Sequence, residues 1–580
     1  MSPIKGTAVL NPFTHGVLPL WAASPSGATP YTLVAFGGYM AGVFLLGALS
    51  HQLLQRGSFL KEYFLGDRQL NAWVLGLTYV ATSVSAGSFV GFPSLIYRNG
   101  WIMALWIAGY MVTGLVSKGA LAKRLNQVSR LSGAITVPDV LRDRFQSPFL
   151  GLLASLFLLF FLVFNLVGQF KAGGDIMRQA CGGVADTQAY QAARRATVHT
   201  LSAIHAWDEE TAGQERDPFY AFQYPDYILG VLLFSLTVVA YTAYGGFWAV
   251  TWTDVLQGIT IVLGAVLLMV LALIQVGGLT QATNQLREID PRLLTGPGPD
   301  SYLGPGLAVS YFCLWTLGSM GQPVGMVRLM ACRDTPTLRR ALFLIGFYYA
   351  LIYLPLVVTF VCARALYGNE YLANSDSIMP VTALRLTADW PLLGGLILAA
   401  PYAAAMSAVA GYLLLMSSSL VRDIYQRNIN PNVSPRLVRG VTYGTTAVVG
   451  IIVTAAAFWP PRYLQYLIIF TGSGMACTYL GPTVLALYWR RTTRAGAVAS
   501  LLSGFLTVLL FWCLGFAGFG KEGLTGPAAE RFAPLYLFGL DPLIYGLLVS
   551  FAAGILVSLF TAPLPPKQVD HYFLASERSP

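Results

Sequence analysis

Long apolar runs separated by short polar connections fill almost the whole chain. A bilayer core about 30 Å thick takes about 20 residues of apolar helix. The runs predict thirteen such spans, at 31–53, 71–97, 101–122, 148–171, 226–245, 249–277, 306–325, 338–366, 391–421, 437–459, 463–488, 494–517 and 542–563. They make 31–563 one transmembrane domain, between an N-terminal segment, 1–30, and a short tail, 564–580. The one sizeable polar insert is 173–226, with His199, His205 and the acidic run Asp208-Glu209-Glu210. Its histidines are spaced six apart and suit no helical ligand pair, so the insert reads as a solvated outer loop. A second, Gly-rich connection at 518–540 reads as exposed by the same logic.

Composition supports the spans. A chain of 580 residues would suit several soluble domains on length alone. Yet 55% of the residues are hydrophobic and only 11% charged, where a soluble surface needs about 25% charged residues. The fold class is therefore an all-α polytopic membrane protein. The net charge of +10 would suggest nucleic acid in a soluble protein. Here the basic residues fall in alternate short connections: Lys118, Lys123, Arg124, Arg130, Arg142 and Arg144 in one, Arg422, Arg427, Arg436 and Arg439 in another. That is the positive-inside bias of a membrane protein. It places the N-terminus outside and the C-terminus in the cytoplasm, as an odd span count requires, with the plasma (inner) membrane as the location. No basic run is interleaved with aromatics on a polar face, so no nucleic-acid partner is expected. The six cysteines form no CxxC pair, which argues against a disulfide framework or structural zinc. Residues 1–30 lack the sustained apolar core of a secretory signal.

Two spans interrupt their own helix. The second, around Ser83-Val84-Ser85-Ala86-Gly87-Ser88-Phe89-Val90-Gly91-Phe92-Pro93, is rich in hydroxyls and punctuated by glycine and proline. The seventh contains Gly318-Ser319-Met320-Gly321-Gln322-Pro323. Broken backbone at membrane depth is tolerated where it lines a cavity. Paired interruptions in corresponding halves point to a transporter's substrate site. The two spans are five apart, as an inverted five-plus-five repeat requires, which sets core repeats at about 71–277 and 306–488. The plainer reading is that small residues merely allow close helix packing; two interruptions at matching positions argue against it. Ser407, in the ninth span, adds a hydroxyl. Hydroxyls and unwound carbonyls suit a small hard cation, not a transition metal.

Five blocks then resemble the sodium:solute symporter family: Glu62-Tyr63-Phe64-Leu65-Gly66-Asp67-Arg68; Val137-Pro138-Asp139-Val140-Leu141-Arg142-Asp143-Arg144-Phe145; Tyr241 to Val250 with Trp252 to Gly258; Gly321-Gln322-Pro323 with Arg328; and Ser407 to Tyr425. Each is weak alone; all five, in order and at family spacing, are strong. Ser85 to Gly91 followed by Tyr97-Arg98-Asn99-Gly100 looks most like the pantothenate permeases. The resemblance implies a LeuT-like five-plus-five inverted-repeat core within about thirteen transmembrane helices. It implies a cation site of the carbonyls of Ala81, Val84 and Ala404 with the hydroxyl of Ser407. The family usually has a second hydroxyl directly after that serine, and here it is Ala408. The substrate-facing residues it implies are Ser85, Gly87, Ser88, Asn165, Gln169, Trp315, Gln322 and Tyr479. Asp254 is expected near the inner face, paired with a cytoplasmic arginine.

The function expected is secondary active import of a small organic solute, carboxylates among the candidates, coupled to sodium by alternating access. No cofactor is expected apart from sodium as coupling ion. The partners are the solute and the lipid bilayer. Ala408 motivates a rival, a proton-coupled or uncoupled carrier of the same fold, and a solute sensor without transport is a second. Proteoliposome uptake under sodium, proton or no gradient separates all three. No HExxH, GxSxG or close histidine pair supports an intramembrane enzyme.

Overall fold

The computed structural model describes residues 28–51, 70–113, 118–203, 225–460, 463–521 and 532–573. The Glu62–Arg68 block, His205 and the acidic run after it lie outside them. The first half contains α1 (Pro30–His51), α2 (Ala72–Ser83), α3 (Phe92–Asn99), α4 (Leu105–Val112), α5 (Lys118–Ser132) and α6 (Val137–Phe145). It continues with α7 (Pro148–Ala180), α8 (Gln188–Ala203), α9 (Pro225–Val276) and α10 (Leu279–Ile289). The second half contains α11 (Pro305–Thr316), α12 (Pro323–Met330), α13 (Thr335–Tyr367), α14 (Ile378–Leu386) and α15 (Pro391–Ser418), which runs on as a π-helix to Ile429. After it come α16 (Pro435–Ala456), α17 (Leu464–Tyr488), α18 (Arg494–Phe516), α19 (Pro542–Phe560) and α20 (Pro566–Phe573).

The helix starts are written locally. Pro148, Pro323 and Pro542 open their helices, where the missing N–H costs nothing. Side chains of Asn71, Thr136, Ser147, Asp334 and Thr493 accept from the first-turn amides of the helices that follow.

Among the described residues, ten helical segments are long and apolar enough to cross a membrane, or eleven if a pair bent by 61° counts as one more. The ten coincide with ten of the expected spans. Of the other three, 71–97 and 306–325 are laid down in pieces, where glycine and proline punctuate them, and 101–122 is helical at Leu105–Val112 and again from Lys118, with 114–117 outside the described residues. Gly246, at φ 59° and ψ −157°, separates the two limbs of α9. Residues 173–180 do not begin the polar insert but extend α7. Side chains at Gly173 and Gly174 would collide with Phe234 and Val231, so these glycines mark close packing inside the bundle.

Lipid-facing positions stay apolar, as at Leu236, Ile274 and Phe560. Two helices are withdrawn from the lipid: the apolar windows of α15 and α17 are 83% and 94% buried. These central helices carry Ser407 and Gln465.

Candidate functional site

The first break begins where the helical ladder of α2 lapses. Val84 N–H still reaches Val80 C=O at 2.7 Å, but Val84 itself is extended, at φ −81° and ψ 95°. The following amides turn elsewhere. Ala86 N–H donates to Gln169 Oε1 at 2.8 Å, and Gly87 N–H to Ser85 Oγ at 3.2 Å. Ser88 and Phe89 N–H both return to Ser85 C=O, at 2.9 and 3.2 Å. The carbonyls of Thr82, Ser83 and Val84 thus lose the donors that a straight helix would bring, and that of Ala81 stands at the edge of the gap. A π-turn at Gly87–Gly91 then leads into α3. Both glycines are required by α17: a Cβ at Gly87 would lie 2.9 Å from Ile468 Cγ1, and one at Gly91 2.2 Å from Gln465 Oε1.

The second break also faces α17. After α11 a 3₁₀ turn, Gly318–Gly321, leads to Gln322, extended at φ −84° and ψ 113°. Pro323 has no N–H and holds its predecessor extended. A Cβ at Gly321 would sit 2.6 Å from Ala476 Cα.

Between the breaks lies a cavity of about 30 Å³, lined by Ser85, Gly87, Ser88, Asn165, Trp315 and Gln322 among others. Six of the eight expected substrate-facing residues therefore meet. Gln169 stands behind them: it caps Ala86 and donates to Asn165 Oδ1 at 3.1 Å, and Asn165 in turn donates to Thr471 Oγ1 at 2.8 Å. Tyr479 is not in the wall. It is fully buried, and its hydroxyl donates to Ala154 C=O. Seven residues of helix set it about 10 Å along α17 from Gly472, which does line the cavity.

The same wall contains residues that sequence reasoning missed. Trp315 stacks on Tyr110 (ring centroids 4.8 Å, 21°), and Tyr110 stacks on Tyr353 (4.0 Å, 19°). Tyr353 shares a 2.6 Å hydrogen bond with Ser88. Trp106 and Gln465 complete this part of the lining. An aromatic ring inside an apolar span carries no signal of which way it points. Gln465 was findable, because a buried amide in an apolar run needs a partner, the same argument that selects Asn165.

Below the first break lies a polar cluster that is entirely buried. Ser407 Oγ donates to Asp254 Oδ1 at 2.6 Å. Arg328 Nη2 donates to Asp254 Oδ2 at 2.6 Å and to Thr82 Oγ1 at 2.8 Å. Thr82 Oγ1 also donates to Asp254 Oδ2 at 3.3 Å. Asp254 does pair with an arginine, as expected, but deep in the bundle against Ser407, not at the inner face. The Gly246 turn and two further helical turns of α9 carry it there. Thr82 packs on Gly411, and Ala81 on Gly258, which brings α2 against both α15 and α9. Ala404, one turn before Ser407, is fully buried. The freed carbonyls and the serine hydroxyl are all-oxygen donors, which fit a small hard cation such as sodium, with the Asp254 carboxylate beside the hydroxyl.

Two further polar clusters lie outside the cavity wall. Towards Asn99, Lys171 and Asp376 form a 2.8 Å ion pair, and Ser94 bonds Ser375 at 2.6 Å. Towards α6, Arg427 pairs with Asp139 at 2.9 Å, and Thr136 donates to Asp423 at 2.8 Å. Burial lifts the Asp139 carboxyl above its ordinary range, against the pull of Arg427 and Arg422.

The sodium:solute symporter family model matches residues 63–193 and 224–504. The chain belongs to the sodium:solute symporter family. A sodium/pantothenate symporter of Haemophilus influenzae is 29% identical over 514 residues, which cover 88% of this chain and 94% of that protein. The sodium/pantothenate symporter of Escherichia coli is 29% identical, with 80% and 87% covered. An osmoregulated proline transporter of Bacillus subtilis is 26% identical, with 91% and 94% covered. A solved Na⁺-coupled sialic acid symporter, in a substrate-bound outward-open state, superposes with a TM-score of 0.66 at 20% identity, covering 92% of this chain and 98% of its own. That likeness shows the fold. The protein is a multi-pass membrane transporter, not an enzyme, and it couples solute import to sodium.

Proposed function

We propose that the lapse in the ladder between Val84 and Ser88 serves two sites at once. Its carbonyl side, Ala81 and Val84, holds sodium together with the Ala404 carbonyl and the Ser407 hydroxyl. Its hydroxyl side, Ser85 and Ser88, binds the solute with Asn165, Trp315 and Gln322. This shared turn is the observation that carries the reading, because sodium and solute then order the same few peptide groups. Gln169 holds the turn in shape. Tyr479 has no part in binding.

The solute is a small polar molecule with an apolar body. The lining residues are amides, hydroxyls and aromatics with no ionisable carboxylate, amine or guanidinium among them. Pantothenate, which two relatives carry by name, has two hydroxyls, an amide and a branched apolar centre that match such a wall, and a carboxylate that would rest on its amide and hydroxyl donors. A cavity of about 30 Å³ admits water but not a solute of pantothenate's size, so binding requires the walls to separate, as alternating access provides. The basic connections orient the chain in the plasma membrane with the N-terminus outside and α6 on the cytoplasmic side.

Uptake of radiolabelled pantothenate and of proline into proteoliposomes tests the reading. A sodium gradient is expected to drive pantothenate uptake, and Ser407→Ala to raise the sodium concentration it needs about 10- to 100-fold. Uptake of both solutes that ignores sodium, or follows a proton gradient instead, refutes it.

A further inference from the structure

Arg328 occupies an unusual place. Its guanidinium holds Asp254 Oδ2 at 2.6 Å, while the other oxygen of that carboxylate holds the Ser407 hydroxyl at 2.6 Å. One buried carboxylate thus joins a fixed cation to the hydroxyl proposed to ligate sodium. Neither partner has bulk water to screen it: the side chains of Arg328 and Asp254 are 5% and 0% exposed. At low dielectric two cations beside one carboxylate compete for it.

Arg328 also borders a small void. A second cavity of about 30 Å³ is lined by Arg328 itself with Ile135, Val324, Gly411 and Ser418. Gly411 allows Thr82 and Arg328 to pack closely against α15. A Cβ there would meet the Thr82 methyl at 2.8 Å and Arg328 Nη2 at 3.8 Å. The absent hydroxyl at Ala408 makes the competition matter more, because with fewer direct ligands the field of Asp254 weighs more on a bound ion.

We propose that Arg328 is a tethered counter-cation that sets sodium affinity through Asp254. With sodium away, the guanidinium neutralises the carboxylate. With sodium seated at Ser407, the ion takes over that role and Arg328 relaxes towards the second cavity. Arg328 is a positioning residue: it touches Asp254 and Thr82, and no contact of its own with sodium is needed. The inference rests on the sodium site proposed above.

The test is a sodium titration of the melting temperature of the purified full-length protein in detergent, with choline keeping the ionic strength constant. Removing the charge in R328Q leaves the carboxylate to sodium alone and is expected to tighten sodium binding about tenfold or more. In uptake, the same variant lowers both the half-saturating sodium concentration and kcat, because the ion leaves more slowly. D254N is expected to weaken sodium binding by at least a similar factor. The double variant D254N/R328Q, neutral at both places, returns to within a few-fold of the wild type, and R328K stays close to it. A purely structural pair gives another pattern, in which R328Q weakens binding and the double variant is no better than D254N. That pattern, or an R328Q affinity equal to wild type, overturns the inference. Should R328Q fail to fold, the comparison of D254N with D254N/R328Q decides by the same rule. A wild-type protein with no sodium-specific shift at all refutes the sodium site, and the inference with it; a wild-type shift with R328Q unmoved refutes the inference alone.

Discussion

Two buried ion pairs stand outside the cavity wall, and they differ in what carries them. Lys171 meets Asp376 at 2.8 Å, with side-chain exposures of 10% and 6%. Asp376 sits in a short 3₁₀ turn of the connection between α13 and α14, and its Oδ2 also accepts the N–H of Leu464, the first residue of α17, at 3.0 Å. The same connection is pinned to α3, where the Tyr97 hydroxyl donates to Gly368 C=O at 2.8 Å. Arg328 and Asp254, by contrast, both stand inside helices, against Ser407 and Thr82. A pair on a connection can part when that stretch of chain lifts. A pair between helices parts only if a side chain swings or the helices move. The first therefore ties a movable connection to α7 and α17, and the second is the pair proposed to tune the ion.

The largest effect is expected at the pair on the connection. Lys171→Met or Asp376→Ala alone leaves one buried charge without its counter-charge, and the loss of stability should be ~3–5 kcal/mol. Lys171→Met combined with Asp376→Leu should regain most of it, as read by thermal melting; a double variant no more stable than either single one would show that the pair does not act as a unit. Next comes the sodium site. Ser407→Ala removes an oxygen from a desolvated ion and should raise the half-saturating sodium concentration about 10- to 100-fold. Ala408→Ser should lower it, by about tenfold at most, and an unchanged sodium dependence would place position 408 outside the cage. The smallest effects separate wall from scaffold. Tyr353→Phe loses the Ser88 bond and should weaken solute half-saturation about fivefold. Tyr479→Phe should cost stability of about 1 kcal/mol and leave solute half-saturation where it was.

The comparison also shows which features can be read from one chain. Gly87, Gly91 and Pro323 announce their breaks because their effect on the backbone is local. Ser407 stands out as a hydroxyl in an apolar run. Asp254, after the Gly245-Gly246 turn, could be read as the partner of an arginine near the inner face, but its depth could not. Depth depends on the turn at Gly246 and on how α9 leans on α15. Tyr479 and Tyr353 are both tyrosines in apolar spans, and only packing sends one hydroxyl to the Ala154 carbonyl and the other to Ser88.

By itself the amino-acid order determined the membrane class, ten of the spans and the places where two others break, because hydropathy, glycine freedom and the missing proline N–H act within a few residues. The tertiary structure alone decided who answers the freed groups: Gln169 for Ala86, Thr471 for Asn165, and Asp254 for Ser407 and Arg328. Those partners lie from 74 to more than 300 residues apart in the chain, and at such separations only the packing of whole helices brings one polar group to another.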